Sequence, residues 1–161
     1  MERMKSVEAA LLQMAILIAT RAHAGQVDKG GMPYILHPIR VMEQFVWPGL
    51  MNEAALNSAV VGVLHDVIED TDQTLRHVED QLRRIRGARR LKPIMAALDA
   101  ITQRPNEPYF VSYLLRVLDD PIAKAVKRED ILDNMRRLSP DTMDRKTFDR
   151  LTEKYRKALP M

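Results

Sequence analysis

The most constraining feature of this sequence is a histidine and an aspartate placed directly after a nearly continuous apolar run. The run over residues 60–64 ends at His65 and Asp66, and the acids Glu69 and Asp70 follow at helical spacing. Three carboxylates beside apolar surroundings repel one another and lose hydration unless a positive group lies among them. A divalent metal ion is the simplest such partner, so the segment predicts a metal site.

The composition limits both the size of the fold and the chemistry of the metal ligands. With 161 residues and 46% hydrophobic content, the chain fits one domain that buries roughly two-thirds of its unfolded surface. No cysteine occurs, which excludes disulfides, thiolate zinc sites and cysteine nucleophiles. Any metal must therefore be held by nitrogen and oxygen ligands. The absence of cysteine is also compatible with a reducing compartment, and we expect a cytoplasmic protein.

The charge balance and the apolar segments argue against nucleic-acid and membrane partners. The 25 Lys and Arg against 22 Asp and Glu leave a net charge of +3, a weak basis for binding nucleic acid. Residues 1–24 imitate a secretory signal, but Glu8, Gln13 and Arg21 interrupt it, and no apolar run is long enough to span a membrane. The basic stretch 83–92 is interpreted as a solvated face or an oligomer contact, with a phosphate-binding patch as the alternative. A homo-oligomer is left open.

Helical periodicity and helix-end signals predict an all-α fold of about eight helices. The predicted helices cover residues 6–24, 38–48, 52–66, 73–86, 89–102, 108–118, 121–138 and 144–159. Pro38 and Pro121 can open helices, and Asn52 can cap one. No alternating β pattern, internal repeat or linker is found, and the short connections favour one compact helical domain over residues 1–161.

Further candidate ligands lie far from His65-Asp66 along the chain. Lys127, Asp130 and Asn134 fall on one helix face, which places an acid between a cation and an amide. His37 precedes Pro38 where a loop enters a helix. In isolation, such a histidine is more typical of capping or packing, and such an aspartate is usually solvated.

Taken together, the candidate ligands are two imidazoles and two carboxylates, a set suited to Mn²⁺, Fe²⁺ or Zn²⁺. They are His37, His65, Asp66 and Asp130. Histidines and aspartates in this order resemble the pattern of the HD phosphohydrolase superfamily.

Four ordered motifs narrow the resemblance to the hydrolase domain of RelA/SpoT proteins. They read AHAGQ (22–26), KGGMPYILHP (29–38), LHDVIEDT (64–71) and VKREDILDN (126–134). The chain resembles the stand-alone small alarmone hydrolases, of the metazoan SpoT-homologue type. We expect residues 1–161 to form one HD-type domain without a synthetase domain.

The resemblance implies a reaction and assigns roles by position. It implies metal-dependent removal of the 3′-pyrophosphate from ppGpp or pppGpp, usually with Mn²⁺, to yield GDP or GTP and pyrophosphate. The four ligands named above would bind the metal. Glu69 and Asp70 match the family's catalytic acids, thought to position or deprotonate the attacking water, and their mutual repulsion should raise the pKa of one of them.

The remaining candidates concern the substrate. By resemblance, Lys29 lies in the substrate pocket and Asn134 contacts the nucleotide. Lys127 and either Arg136 or Arg137 are candidates for meeting phosphate charge. Tyr109 and Tyr113 either line a base pocket or are ordinary half-buried aromatics.

Two positions depart from the family pattern and keep the substrate open. Asp28 stands where many alarmone hydrolases have an arginine thought to stack on guanine, a contact that an acid cannot make. Arg137 stands where the long enzymes often have a small hydroxyl residue. The main reading is a (p)ppGpp pyrophosphohydrolase, and the second is an HD phosphohydrolase for another nucleotide such as NADPH or ppApp. A non-catalytic nucleotide sensor or RNA-associated module is the third, against which the intact pair Glu69-Asp70 weighs.

Overall fold

The fold is built from helices joined by short loops. The computed structural model describes residues 6–47, 51–87 and 91–159. Its α-helices are α1 (Ser6–Ala22), α2 (Leu36–Glu43), α3 (Glu53–Leu64), α4 (Val67–Asp70), α5 (Leu75–Leu82), α6 (Lys92–Ile101), α7 (Leu114–Asp119), α8 (Pro121–Arg136) and α9 (Arg145–Ala158). One π-helical turn, Tyr109–Tyr113, leads into α7. None of the helices in these ranges has the length and apolar character needed to cross a membrane. The predicted all-α fold class is confirmed.

Each predicted helix has a counterpart, but several ends differ. Helix α2 begins before Pro38, because proline is tolerated in a first turn whose N–H groups have no acceptor within the helix. The helix predicted to reach Asp66 ends at Leu64 and is followed by the separate turn α4. Helix α2 ends at Glu43 rather than at residue 48, because the N–H groups of Gln44 and Phe45 bond to carbonyls three residues back. The predicted closing residues 48–49 and the predicted start at Arg89 lie outside the described residues.

Three other predicted helices are shorter than expected. Helix α5 ends at Leu82 rather than at residue 86, because the N–H groups of Arg84 and Ile85 bond to carbonyls three residues back and tighten the chain. Helix α8 ends at Arg136 for the same reason. The helix predicted over 108–118 is divided into the π-helical turn and α7.

Helix α3 lies at the centre of the molecule and ends at the candidate site. Residues 56–64 are all buried, and α3 packs against α1, α2, α6 and α8. Asn52 caps the helix as predicted, since its Oδ1 accepts a hydrogen bond from the Ala55 N–H at 2.9 Å. Gly62 permits a close approach of α2, because a Cβ atom there would lie 3.2 Å from the Cα of Met42. This contact seats α2 directly against the end of α3.

The loop between α1 and α2 forms a small hairpin that brings Asp28 and Lys29 to the candidate site. Gly31, at φ 78°, adopts a left-handed backbone that favours glycine. An isolated bridge joins Val27 to Pro33, and Asp28 Oδ1 accepts hydrogen bonds from the N–H groups of Gly30 at 2.8 Å and Met32 at 3.0 Å. The loop therefore has a fixed shape set by its own hydrogen bonds.

Candidate metal centre and adjacent cavity

The four predicted metal ligands converge from three parts of the fold. His37 lies in α2, His65 and Asp66 join α3 to α4, and Asp130 lies in α8. His37 Nε2 is 3.1 Å from Asp130 Oδ1 and 3.6 Å from Asp66 Oδ2. His65 Nε2 is 3.0 Å from Asp66 Oδ2 and 3.7 Å from Asp130 Oδ1. Both imidazoles therefore point their Nε2 atoms at the same two carboxylate oxygens.

The contacts of the two Nδ1 atoms orient both imidazoles so that Nε2 faces the cluster. His65 Nδ1 donates to the carbonyl of Gly62 at 2.8 Å, because a carbonyl can only accept, and His37 Nδ1 lies 2.7 Å from Asp133 Oδ2. In a neutral imidazole the Nε2 atom is then an acceptor facing carboxylates, which also only accept. His65 Nε2 is buried and has no hydrogen-bond partner among the described residues. Acceptors gathered in this way fit a bound cation.

The electrostatics of the cluster lead to the same conclusion. Burial lowers the pKa of His65, but Asp66 and Asp130 outweigh it and raise this pKa well above its usual range. Burial also lowers the pKa of His37, but Asp130 and Asp133 outweigh it and raise this pKa above its usual value. Burial would raise the pKa of Asp66, yet His65 lowers it to about 2. The protein without metal thus keeps its carboxylates ionised and draws protons onto its imidazoles in place of a cation.

Asp133 supports the cluster from outside, a role that the sequence analysis missed. Its Oδ2 contacts His37, and its two oxygens accept hydrogen bonds from Arg40 Nε at 2.7 Å and Nη2 at 3.1 Å. Burial would raise the pKa of Asp133, but these two partners lower it to about 2. The spacing of three residues from Asp130 on a helix was the available signal.

Tyr34 links Asp70, one of the two predicted catalytic acids, to the cluster, and the sequence analysis missed it. Its hydroxyl donates to Asp66 Oδ2 at 2.6 Å and lies 3.2 Å from Asp70 Oδ2. Glu69 Oε2 accepts a hydrogen bond from the Gln103 N–H at 3.0 Å. No spacing along the sequence predicts this contact, because Tyr34 lies in the loop before α2 and shares no helix face with Asp66.

The pKa values of both predicted catalytic acids are raised, though for a different main reason than expected. Burial is the largest cause for Glu69 and for Asp70, and the charge of Asp66 adds to both. Repulsion between the two acids, the predicted cause, contributes little to Glu69. A raised pKa suits a group that accepts a proton during turnover.

A cavity of about 510 Å³ opens beside the cluster and gathers most of the predicted substrate contacts. Its wall includes Lys29, Tyr109, Lys127, Asn134 and Arg137, together with His37, Asp66 and Asp130. The volume lies within the usual range for small-molecule sites.

Tyr113 is buried next to this wall rather than half-exposed. Its hydroxyl donates to the carbonyl of Ile101 at 2.7 Å, and Lys127 Nζ lies 5.3 Å from its ring centroid. Tyr113 therefore supports a cation that lines the cavity.

The predicted face of α8 is found as expected. Lys127 Nζ lies 2.8 Å from Asp130 Oδ2, and Asn134 Nδ2 donates to Asp130 Oδ1 at 2.5 Å. Arg137, farther along this face, is ion-paired with Asp28 of the hairpin loop. The two positions that depart from the family pattern thus contact each other.

The all-α fold, with two histidines and two aspartates converging beside a cavity, has the arrangement expected from the resemblance to HD-type phosphohydrolase domains. The resemblance to RelA/SpoT-type proteins, stated from the motifs, is confirmed by comparison with known proteins. No protein-family model matches the chain.

Curated relatives with this similarity carry two kinds of name. The GTP pyrophosphokinase of Myxococcus xanthus is 27% identical over 135 residues, which is 80% of this chain and 17% of that protein. The guanosine-3′,5′-bis(diphosphate) 3′-pyrophosphohydrolase of Aquifex aeolicus is 27% identical over 127 residues, 79% of this chain and 18% of that protein. A probable enzyme of the same name from Synechocystis is 31% identical over 135 residues, 80% of this chain and 17% of that protein. The chain thus spans less than a fifth of the length of these relatives.

A solved structure shares the fold over nearly the whole chain. It belongs to a metazoan orthologue of SpoT described as hydrolysing ppGpp. The TM-score is 0.68 at 20% sequence identity, with 99% of this chain and 86% of the other covered. This likeness establishes the shared helical architecture.

Proposed function

We propose that residues 1–161 act as one HD-type domain that hydrolyses ppGpp or pppGpp to GDP or GTP and pyrophosphate, with Mn²⁺ as cofactor. The observation that carries the proposal is the convergence of His37, His65, Asp66 and Asp130 at a nucleotide-sized cavity, with His65 Nε2 left without a hydrogen-bond partner. The names of the curated relatives support this substrate.

The side chains of the site have different roles in the proposed hydrolysis. A metal held by the four ligands would lower the pKa of a bound water and polarise a phosphoryl oxygen. Glu69 and Asp70, whose pKa values are raised, position the attacking water, and one of them accepts the proton that the water loses. Tyr34 keeps Asp70 close to the cluster through its shared hydroxyl.

The proposed reaction transfers the diphosphate group to water. The water oxygen bonds to the phosphorus next to the ribose, and the bond from that phosphorus to the 3′ oxygen breaks. The 3′ oxygen takes a proton, and pyrophosphate leaves with the oxygen of the water. Lys127, held at the cluster by Asp130, places positive charge beside the phosphate that is attacked.

One observation favours a second substrate class, another phosphorylated nucleotide such as ppApp or NADPH. The guanidinium of Arg137 is ion-paired with Asp28, and both line the cavity. This pair occupies the part of the wall where the family pattern places an arginine thought to stack on guanine. The base preference of this chain can therefore differ from that of the long enzymes.

The test is a product assay on the Mn²⁺-loaded protein with ppGpp, ppApp, NADPH and GTP, each incubated separately. Release of pyrophosphate from ppGpp is the expected result. Orthophosphate from NADPH alone would replace the main proposal by the second one, and no turnover of any nucleotide would favour a binding module. A cytoplasmic location and a homo-oligomer stay predictions.

A further inference from the structure

Lys154 of α9 brings a charge to the cavity that no described carboxylate neutralises. The residue lines the cavity, and its Nζ lies 3.9 Å from the ring centroid of Tyr109. Within residues 6–47, 51–87 and 91–159, Lys154 has no ion pair with a carboxylate. An aromatic face attracts an ammonium group without cancelling its charge. Lys154 is therefore free to meet an anion of the ligand.

The other cations that line the cavity are either ion-paired or exposed to solvent. Lys127 is ion-paired with Asp130 at 2.8 Å, and Arg137 is paired with Asp28. Lys29 is exposed on the hairpin loop. Lys154 is thus a half-buried cation that has no ion pair with a carboxylate within the described residues.

Lys154 lies at the end of the cavity where the predicted chemistry takes place. The ring of Tyr109, which Lys154 contacts, lies 5.3 Å from the ring of Tyr113, and Lys127 Nζ lies 5.3 Å from the Tyr113 ring centroid. Along α8, Lys127 precedes Asp130 by about one turn and Arg137 follows it by about two. Lys154 is therefore linked to the Lys127 side of the cavity through the rings of Tyr109 and Tyr113.

We propose that Lys154 binds the outer phosphate of the diphosphate group that is cleaved, so that the site prefers a diphosphate ester over the corresponding monophosphate ester. The inference rests on the proposed function. Lys127, together with a metal that the four ligands would hold, neutralises the inner phosphate, and the outer phosphate carries additional negative charge that needs its own cation. Lys154 forms and breaks no covalent bond, and it acts as a specificity-determining residue.

The experiment compares two guanosine nucleotides that differ by one phosphate. Dissociation constants for ppGpp and for guanosine 5′-diphosphate 3′-monophosphate are measured by calorimetry on the Mn²⁺-loaded Glu69→Gln/Asp70→Asn protein, in which hydrolysis is silenced. Lys154→Met removes the charge and keeps the length of the side chain, Lys154→Arg keeps the charge, and Lys154→Gln serves as a second neutral variant. Lys157→Met, which changes an exposed lysine of the same helix, is the matched control.

The preference for ppGpp over the monophosphate analogue should fall about tenfold in Lys154→Met, the size expected for one charge-assisted contact. Lys154→Arg should retain most of the preference, and Lys157→Met all of it. An unchanged preference in both neutral variants would overturn the inference while leaving the proposed hydrolysis intact. Loss of the preference in Lys154→Met, together with failure of the protein with native Glu69 and Asp70 to hydrolyse ppGpp, would support the inference and refute the proposed function. Binding of neither nucleotide by the parent protein would overturn both.

Discussion

The carboxylate of Asp133 lies 2.7 Å from His37 Nδ1, on the side of the imidazole that faces away from the metal cluster. This contact holds the ring so that Nε2 points at Asp66 and Asp130. A carboxylate in this position also makes the imidazole a better ligand.

Asp133→Ala should therefore weaken Mn²⁺ binding about 10- to 100-fold, the usual effect of losing a partner of a metal-bound histidine. Asp133→Asn should weaken it less, because an amide oxygen can still accept the Nδ1 hydrogen bond. Titration of the metal-free protein with Mn²⁺ measures both effects, with Asp119→Ala as an exposed acidic control. Unaltered affinity in Asp133→Ala would show that His37 is oriented without this contact.

Replacing Glu69 and Asp70 together by their amides should lower kcat at least about 100-fold and leave Mn²⁺ affinity nearly unchanged. The amides preserve size and can still accept the hydrogen bonds from Gln103 and Tyr34, but they cannot take up a proton. Steady-state kinetics and a metal titration on the same preparation separate the two effects. The exposed Glu43→Gln is the control, and full activity in the double variant would remove both acids from the mechanism.

The ion pair between Asp28 and Arg137 should contribute to stability as a coupled unit. Both side chains are largely shielded from solvent, and Asp28 also organises the loop through the N–H groups of Gly30 and Met32. In a double-mutant cycle with Asp28→Asn and Arg137→Gln, the interaction energy should be about 0.5–3 kcal/mol. Urea unfolding of the four proteins provides this value.

The exposed pair Arg145 and Asp149, treated in the same way, should show a coupling below about 0.5 kcal/mol. Additive losses at Asp28 and Arg137 would mean that the two residues act independently. The loop would then owe its position to its own hydrogen bonds alone.

The stability of the metal-free protein should fall as the pH rises through neutrality. The pKa values of His37 and His65 are raised above their ordinary value of 6.5, chiefly by the neighbouring aspartates acting against burial. Between 6.5 and the raised values the folded protein binds more protons than the unfolded chain, so the free energy of unfolding decreases with increasing pH. Mn²⁺ should reverse this trend, because it binds the deprotonated imidazoles.

Thermal unfolding at about pH 6 and about pH 8, with and without Mn²⁺, tests this linkage across the range in which histidine titrates. Stabilisation by Mn²⁺ should be larger at the higher pH. Equal stabilisation at both values would contradict the raised pKa values.

The sequence predicted the helices because they depend on local patterns, whereas the four proposed metal ligands were brought together by the order of motifs in the resemblance. Asn52 as a helix cap and the shared face of Lys127, Asp130 and Asn134 follow from spacing along one helix. The His65-Asp66 pair was recognisable because ionisable groups directly after an apolar run require a compensating partner.

The contacts that the sequence did not predict join distant segments. Tyr34 reaches Asp66 across 32 positions, and Arg137 reaches Asp28 across 109. Lys154 meets Tyr109 only because α9 returns to the cavity. Such pairs have no periodic signal, since helix packing rather than spacing along the chain brings them together.

The most direct measurement is the anomalous scattering of manganese in a crystal of the Mn²⁺-loaded protein. We expect a single strong peak bonded to His37 Nε2, His65 Nε2 and the carboxylates of Asp66 and Asp130. A cluster that binds no manganese in such a crystal, or manganese held by other residues, would contradict the proposed metal centre and the chemistry inferred from it.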